Sequence, residues 1–432
     1  MTLVLLISFG IAAALPVATA LRRQGGFVQF SFLGGLVFLG QLFLQAIGVV
    51  RSADSVPHGG LVRALLMCTL CALAMHLGWE KRAVRGASIA VLVFPRVFAA
   101  GMVFIVVGMT GFLLLTRLSG GIAAHFSTAG HYALDWRGYP VAYVFFMAYL
   151  APGIFLALTA AMRERSLPKY LAVAAPLAVQ AAFIVLLGRR AVLFETVIVI
   201  LAALWFGRRY EPARGLILAG AALGAVAMYA APYYRAHSQI GGSIDKLREI
   251  DVGKAVTDPV NGLQEEFYNA AWVMDIVGAN HAYQYGAGIY NYLIASFVPK
   301  LITGEGFKER LLLDLPGKDL ETNDYSWHIR YGANMSGPAS AYVQFWFFGC
   351  LWFYALARFM KRLYDRAVLG DLCSQCLYVG CLVHAMQSIG NYMYMVLNPL
   401  VMIGPVLWVL VELLTLERRQ DSGRARLTAC VT

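Results

Sequence analysis

The stretch VLLGRRAVLFET, residues 185–196, sets two arginines between two apolar runs. One run ends at Leu187 and the next begins at Ala191, so only Gly188, Arg189 and Arg190 join them. The runs, 170–187 and 191–207, are each long enough to cross a hydrocarbon core of about 30 Å as a helix. The stretch therefore reads as the tight turn of a membrane-spanning helical hairpin. It also poses a question, because a turn this short cannot carry two guanidinium groups far into water.

The same pattern recurs along the chain. Of 432 residues, 59% are hydrophobic and only 14% charged, with a mean hydropathy of +0.65. A soluble domain would carry nearer about 25% charged residues. Eleven apolar segments have spanning length: 2–21, 27–50, 61–79, 95–116, 141–162, 170–187, 191–207, 214–233, 338–360, 372–389 and 396–416. The period-two alternation of a membrane barrel is absent, so the expected fold is all-α and polytopic. Pro95 and Arg96 interrupt the apolar run 87–116. If 87–94 enters the membrane separately it is re-entrant, because it is too short to span. No basic residue precedes the first apolar segment, which lacks the front of a cleaved signal peptide and is read as a span.

Lysine and arginine concentrate at alternate loops: Arg22/Arg23, Lys81/Arg82/Arg85, Arg163/Arg165/Lys169, Arg208/Arg209/Arg214, Arg358/Lys361/Arg362/Arg366 and Arg418/Arg419/Arg424/Arg426. These hold 19 of the 35 basic residues, while the opposite short loops hold only Arg51, Arg117, Arg137, Arg189 and Arg190. The positive-inside rule makes the rich set cytoplasmic, the N-terminus external and the C-terminus internal. The net charge of +11 is then mainly a topological signal, and no basic face suited to nucleic acid is visible. The tail 417–432 reads as a cytoplasmic flank near anionic lipid.

The chain divides accordingly into spans one to eight (1–233), an external loop (234–337), spans nine to eleven (338–416) and the tail. The loop holds nine Lys/Arg and thirteen Asp/Glu. Within it Leu263, Phe267, Ala270, Met274 and Val277 recur at helical spacing, predicting an amphipathic helix on the membrane or across the mouth of the bundle. GIYNYLIASFVPKLITG, 288–304, is apolar but broken at Pro299 and too short to span, so it reads as re-entrant or interfacial. None of the seven cysteines lies in the loop. The pair Cys373 and Cys376 has no second ligand pair and reads as helix contact rather than zinc. No nucleotide, protease, esterase or calcium motif occurs, and no metal is expected.

Chemistry-bearing residues gather late in the loop, in DLETNDYSWHIRYGANMSGP, 319–338. Glu321, Asp324, His328, Arg330 and Tyr331 stand just before a helix carrying Tyr342. Acid, base, cation and aromatic groups together suit a polar substrate, although a solvated loop would have the same composition. The arginine hairpin likewise has two readings. Arg189 and Arg190 either snorkel as caps of two helices or form an anion site facing the outer side.

The order of these features resembles a known family. YGAGIYNYLIASFVPKLITGEGFKERL, 285–311, is similar to the Gly … Tyr … Pro-basic … Lys segment of bacterial oligosaccharide repeat-unit polymerases, the Wzy-type O-antigen and exopolysaccharide polymerases. Gly288, Tyr290, Pro299, Lys300 and Lys308 occupy those places. SGPASAYVQFWFFGCLWF, 336–353, resembles their Ser-Pro … Tyr … Phe … Gly helix through Tyr342, Phe345 and Gly349, and the hairpin resembles their Arg-bearing turn. The likeness extends over about 180–355.

The resemblance implies a GT-C-like helical fold in the bacterial inner membrane. It implies a glycosyltransferase that joins undecaprenyl-pyrophosphate-linked oligosaccharides at the outer face, needing neither metal nor other cofactor. Partners would be that lipid-linked glycan, membrane lipid and a chain-length regulator protein. A pyrophosphate leaving group needs fixed positive charge in a dry site, which Arg189 and Arg190 would supply with Lys300 and Arg330. His328, or else Glu321, would take the proton of the attacking hydroxyl, and Tyr290, Tyr331 and Tyr342 would contact the glycan. An O-antigen ligase-like transferase and a polysaccharide or lipid transporter remain the alternative expectations.

Overall fold

In a computed structural model, residues 1–52, 56–80, 94–118, 120–121, 140–187, 190–237, 266–298, 304–316 and 335–407 are described. The segment 87–93, the tail 417–432, Leu263 and Pro299 lie outside them. Among the described residues every regular element is helical. The chain is an all-α, polytopic membrane protein. Eight described helices are long and apolar enough to cross a membrane: α1 (Thr2–Leu21), α2 (Phe30–Arg51), α3 (His58–Glu80), the Arg96–Leu118 part of α4 (Phe94–Leu118), the Leu167–Ile184 part of α6 (Leu167–Leu187), the Ala191–Arg208 part of α7 (Arg190–Arg208), the interrupted helix Gly337–Val368, and α14 (Leu372–Gly390). Helices also occupy the three other expected positions, as α5 (Pro140–Glu164), α8 (Arg214–His237) and α15 (Leu397–Leu407).

In lipid the surroundings are as apolar as the side chains, so helices associate through close fit and interhelical hydrogen bonds. The α4–α5 pair shows how. A Cβ on Gly101 would lie 2.6 Å from the Ala157 nitrogen, and one on Gly153 would lie 2.8 Å from the Ile105 nitrogen. Small residues thus bring the two backbones together. Pro16, Pro152 and Pro176 sit inside α1, α5 and α6, where neighbouring helices can satisfy the freed carbonyls.

Two spans are irregular, and the apolar sequence carries no sign of either. In α2 the turn Phe38–Phe43 widens into a π-helix, a distortion common near functional sites. The last long segment breaks after α12 (Gly337–Phe345) into a 3-10 turn at Trp346–Gly349, then resumes as α13 (Cys350–Val368). Trp346 has φ 52°, an unusual conformation for a bulky residue. A side chain on Gly349 would collide with the Ala341 carbonyl, so the break needs glycine there. The π turn packs against α13 beyond the break, with the rings of Phe38 and Phe353 6.2 Å apart.

The basic loops gather at one end of the bundle. Arg23 pairs with Glu80 at 2.5 Å. Arg208 donates to the Met162 carbonyl at 3.3 Å, and Arg209 to that of Val368. Lys169 pairs with Glu164, and Lys361 with Asp365. The Gly25 turn binds both Glu211 (3.3 Å) and Tyr364 (3.2 Å). Loops hundreds of residues apart thus form one surface, as the alternation of charge requires.

At the opposite end the loop contributes α9 (Glu266–Asn280), α10 (Ala287–Phe297) and α11 (Glu305–Leu311). The stripe Phe267, Ala270, Met274 and Val277 is buried, as its spacing predicts. Asn269, Ala271 and Val273 on the remaining surface are buried too. The helix is therefore enclosed by α2, α3 and α12 and does not rest on a membrane surface with one face in water. Buried polar bonds fix its start: Gln45 Nε2 donates to Glu266 Oε2 at 2.6 Å, and the Phe267 N–H donates to Gln45 Oε1 at 2.9 Å. Gly60 admits its backbone, because a Cβ there would strike the Ala271 carbonyl.

Candidate functional site

A cavity of about 180 Å³ opens at this non-basic end, between the end of α9, the start of α10, α12 and the turn after α14. The turn 281–286 that walls it is tight, with positive φ at His281, Tyr285 and Gly286. Its register is fixed where the Gln284 N–H donates to the Val343 carbonyl at 2.9 Å. α10 and α11 form a short hairpin held by side chains. The Asn291 amide both donates to and accepts from the Leu313 backbone, each at 2.8 Å, and Lys308 Nζ reaches the Ala295 carbonyl at 2.6 Å. The far wall is aromatic: the Tyr392 and Tyr394 rings stack at 5.5 Å and 11°, and Tyr394 meets Tyr292 at 4.3 Å. Burial raises the Tyr292 phenol pKa above its ordinary value.

Polar groups converge inside. Gln344 on α12 is buried, and its Nε2 donates to Gln284 Oε1 at 2.5 Å. Its own Oε1 is buried without a partner among the described residues. Ser340, one turn earlier on α12, also faces the cavity. A side chain on Gly288 would strike both amides, so the glycine at this motif position makes room for the pair.

Tyr342 stands behind this wall. It is 1% exposed, its hydroxyl lies 3.3 Å from that of Tyr283, and Arg63 adjoins it across Gly278. Its ring packs against those of Tyr283 and Phe347, with centroids 5.7 and 5.2 Å away. Tyr290 is half-exposed on α10, two residues from Gly288.

The other expected site residues are less fully placed. Arg190 begins α7, but its side chain lies outside the described residues, as do Arg189, Lys300, Glu321, His328, Arg330 and Tyr331. Two facts bear on them. The segment 317–334, which contains Glu321, His328, Arg330 and Tyr331, joins Pro316 to Met335, and both of those residues line the cavity. Along α7 from the arginine hairpin, Glu195 is 5% exposed, next to a part-buried bond from Thr196 to Gln180 at 2.8 Å. Helix α7 touches α14, whose end leads into Tyr392 and Tyr394.

Gln284, Gln344, Tyr392 and Tyr394 were not singled out by sequence. Amides carry no motif, and these residues meet only through tertiary contacts. The glycine at 288 was the one available sign. Among the described residues no three His, Cys, Asp or Glu side chains group as metal ligands, and Cys373 and Cys376 are free thiols. No family model matches the chain, and no curated protein and no solved structure does so either.

Proposed function

We propose that the chain is a membrane glycosyltransferase of the Wzy-type repeat-unit polymerase kind. It joins undecaprenyl-pyrophosphate-linked oligosaccharides at the outer face of the bacterial inner membrane, with its N-terminus outside and its C-terminus in the cytoplasm. One observation carries the reading. The cavity lies at the end away from the basic loops, and the segment bearing Glu321, His328, Arg330 and Tyr331 leaves and rejoins the fold at its lining. In this reading the acceptor hydroxyl attacks the anomeric carbon of the donor glycan. The hydroxyl proton passes to His328 or Glu321, and the sugar–pyrophosphate bond breaks. Arg189, Arg190, Lys300 and Arg330 hold the negative charge that develops on the leaving pyrophosphate. The energy resides in the bond that breaks.

The test is the surface-glycan length profile of a deletion strain. Loss of long chains with single repeat units retained supports polymerisation. Unchanged long chains overturn it. A second reading, a transporter, draws on the broken helix at Trp346–Gly349 and the π turn of α2, since interrupted helices mark many transport sites. Deletion of a transporter would remove single units from the surface as well.

A further inference from the structure

We infer that the cavity between α10 and α12 is a binding site for one neutral pyranose ring, read by the Gln284–Gln344 amide pair. The inference rests on the glycan-transfer reading for its biological sense, but its physical argument stands on the cavity alone.

The pair is built to present unmet groups. Gln344 uses one of its two N–H donors on Gln284, and Gln344 Oε1 is buried with no partner among the described residues. A buried acceptor left unmet is costly, so a ligand donor is the expected completion. Gln284 accepts with its oxygen and is anchored through its backbone to Val343. Its amide nitrogen has no partner among the described residues. The two amides together leave an acceptor, the Gln344 oxygen, and donors on the Gln284 nitrogen. That set complements two adjacent hydroxyls, each of which can donate and accept.

The remaining lining selects the ligand class. Tyr392 and Tyr394 supply an aromatic surface for the C–H face of a sugar ring. Among the described residues the lining carries amides, a hydroxyl and aromatic rings and no charged side chain, a set suited to the neutral hydroxyls of a sugar. A lipid tail would leave the Gln344 oxygen unmet. The volume of about 180 Å³ is of the size of a single sugar ring.

The test uses the full chain in lipid nanodiscs and saturation-transfer NMR. The probes are D-glucose, D-galactose, D-mannose, L-rhamnose, N-acetyl-D-glucosamine and N-acetyl-D-galactosamine, with inorganic phosphate as the charged control. At least one neutral sugar should receive saturation at its ring protons. Gln344→Leu should weaken that binding by about tenfold, as expected when one buried hydrogen bond is lost. Gly288→Ala should do the same from the other helix, so the inference is testable if either variant fails to fold. Thermal unfolding identifies the folded variants. Binding of none of the six sugars overturns the inference, as does equal binding by both folded variants. Sugar binding in a chain whose deletion leaves long glycans intact would sink the polymerase reading and keep the site. Loss of long glycans without sugar binding would do the reverse.

Discussion

Arg63 and Asp275 form an ion pair, Nη1 to Oδ1 at 2.6 Å, that fastens α9 of the long loop to the first turns of α3. Both side chains are about three-tenths exposed (31% and 27%), so the pair is neither a free surface bridge nor a dry one. It stands beside Gly278 and the Tyr342 hydroxyl, behind the cavity wall.

Its strength is measurable by a double-mutant cycle. Arg63→Ala, Asp275→Ala and the double variant should show a coupling of about 1 kcal/mol in unfolding, the upper part of the range for partly solvated pairs. Strict additivity would mean that the pair does not hold the loop helix in place.

Glycines should separate into two classes by thermal unfolding. Gly60→Ala and Gly337→Ala would drive a methyl into the Ala271 and Ser388 carbonyls, and each should cost about 1–3 kcal/mol or more. Gly40 and Gly220 have nothing within 4 Å of an added Cβ. Alanine at those helical sites should be neutral or stabilise by up to about 1 kcal/mol. Equal effects at all four positions would contradict the close approach of Gly60 to α9 and of Gly337 to the Ser388 carbonyl.

The arginine hairpin distinguishes snorkelling from anion binding. If Arg190 clamps a pyrophosphate, Arg190→Ala should reduce polymerisation by roughly ten- to several-hundred-fold at unchanged protein level. Lysine should restore only part, because the forked geometry is lost. Arg189→Ala is the companion variant. Glu195, five residues along α7 from Arg190, is buried. Wild-type chain lengths from both alanine variants, in an assay with lipid-pyrophosphate oligosaccharide, would return the pair to a capping role.

Sidedness follows from cysteine labelling. In a chain freed of its native cysteines, Ser243→Cys should react with a membrane-impermeant maleimide in intact spheroplasts. Gly370→Cys, at the basic end, should react only after permeabilisation. The opposite pattern would invert the proposed topology.

The sequence made the membrane helices legible because apolar length alone determines them. The buried stripe of α9 was legible through its spacing. What the spacing could not reveal was that α9 is enclosed on its other side as well, since Asn269 and Ala271 look like the polar and small residues of an exposed face. The break at Trp346–Gly349 was hidden because its residues are as apolar as their neighbours. The candidate site was only partly legible. Tyr342, expected at the glycan, is buried with its ring against Tyr283. Gln344, two residues later, carries the group that faces the cavity. An amide in an apolar helix gives no hint of whether its partner will be protein or ligand until the opposing Gln284 and Gly288 are in place.

The turn at Gly25 has a consequence for biosynthesis. Its carbonyl is held by Tyr364, its N–H by Glu211, and the next residues along, Val28 and Phe30, are both bonded to the Tyr378 hydroxyl. Synthesis runs from the N-terminus, so this early connection between α1 and α2 leaves the ribosome long before the residues that secure it. Until Tyr364 and Tyr378 are made, those main-chain groups must find temporary partners in the water and headgroups at the membrane edge. A chain terminated before α13 would therefore leave its first hairpin unlocked, however completely the earlier helices had inserted.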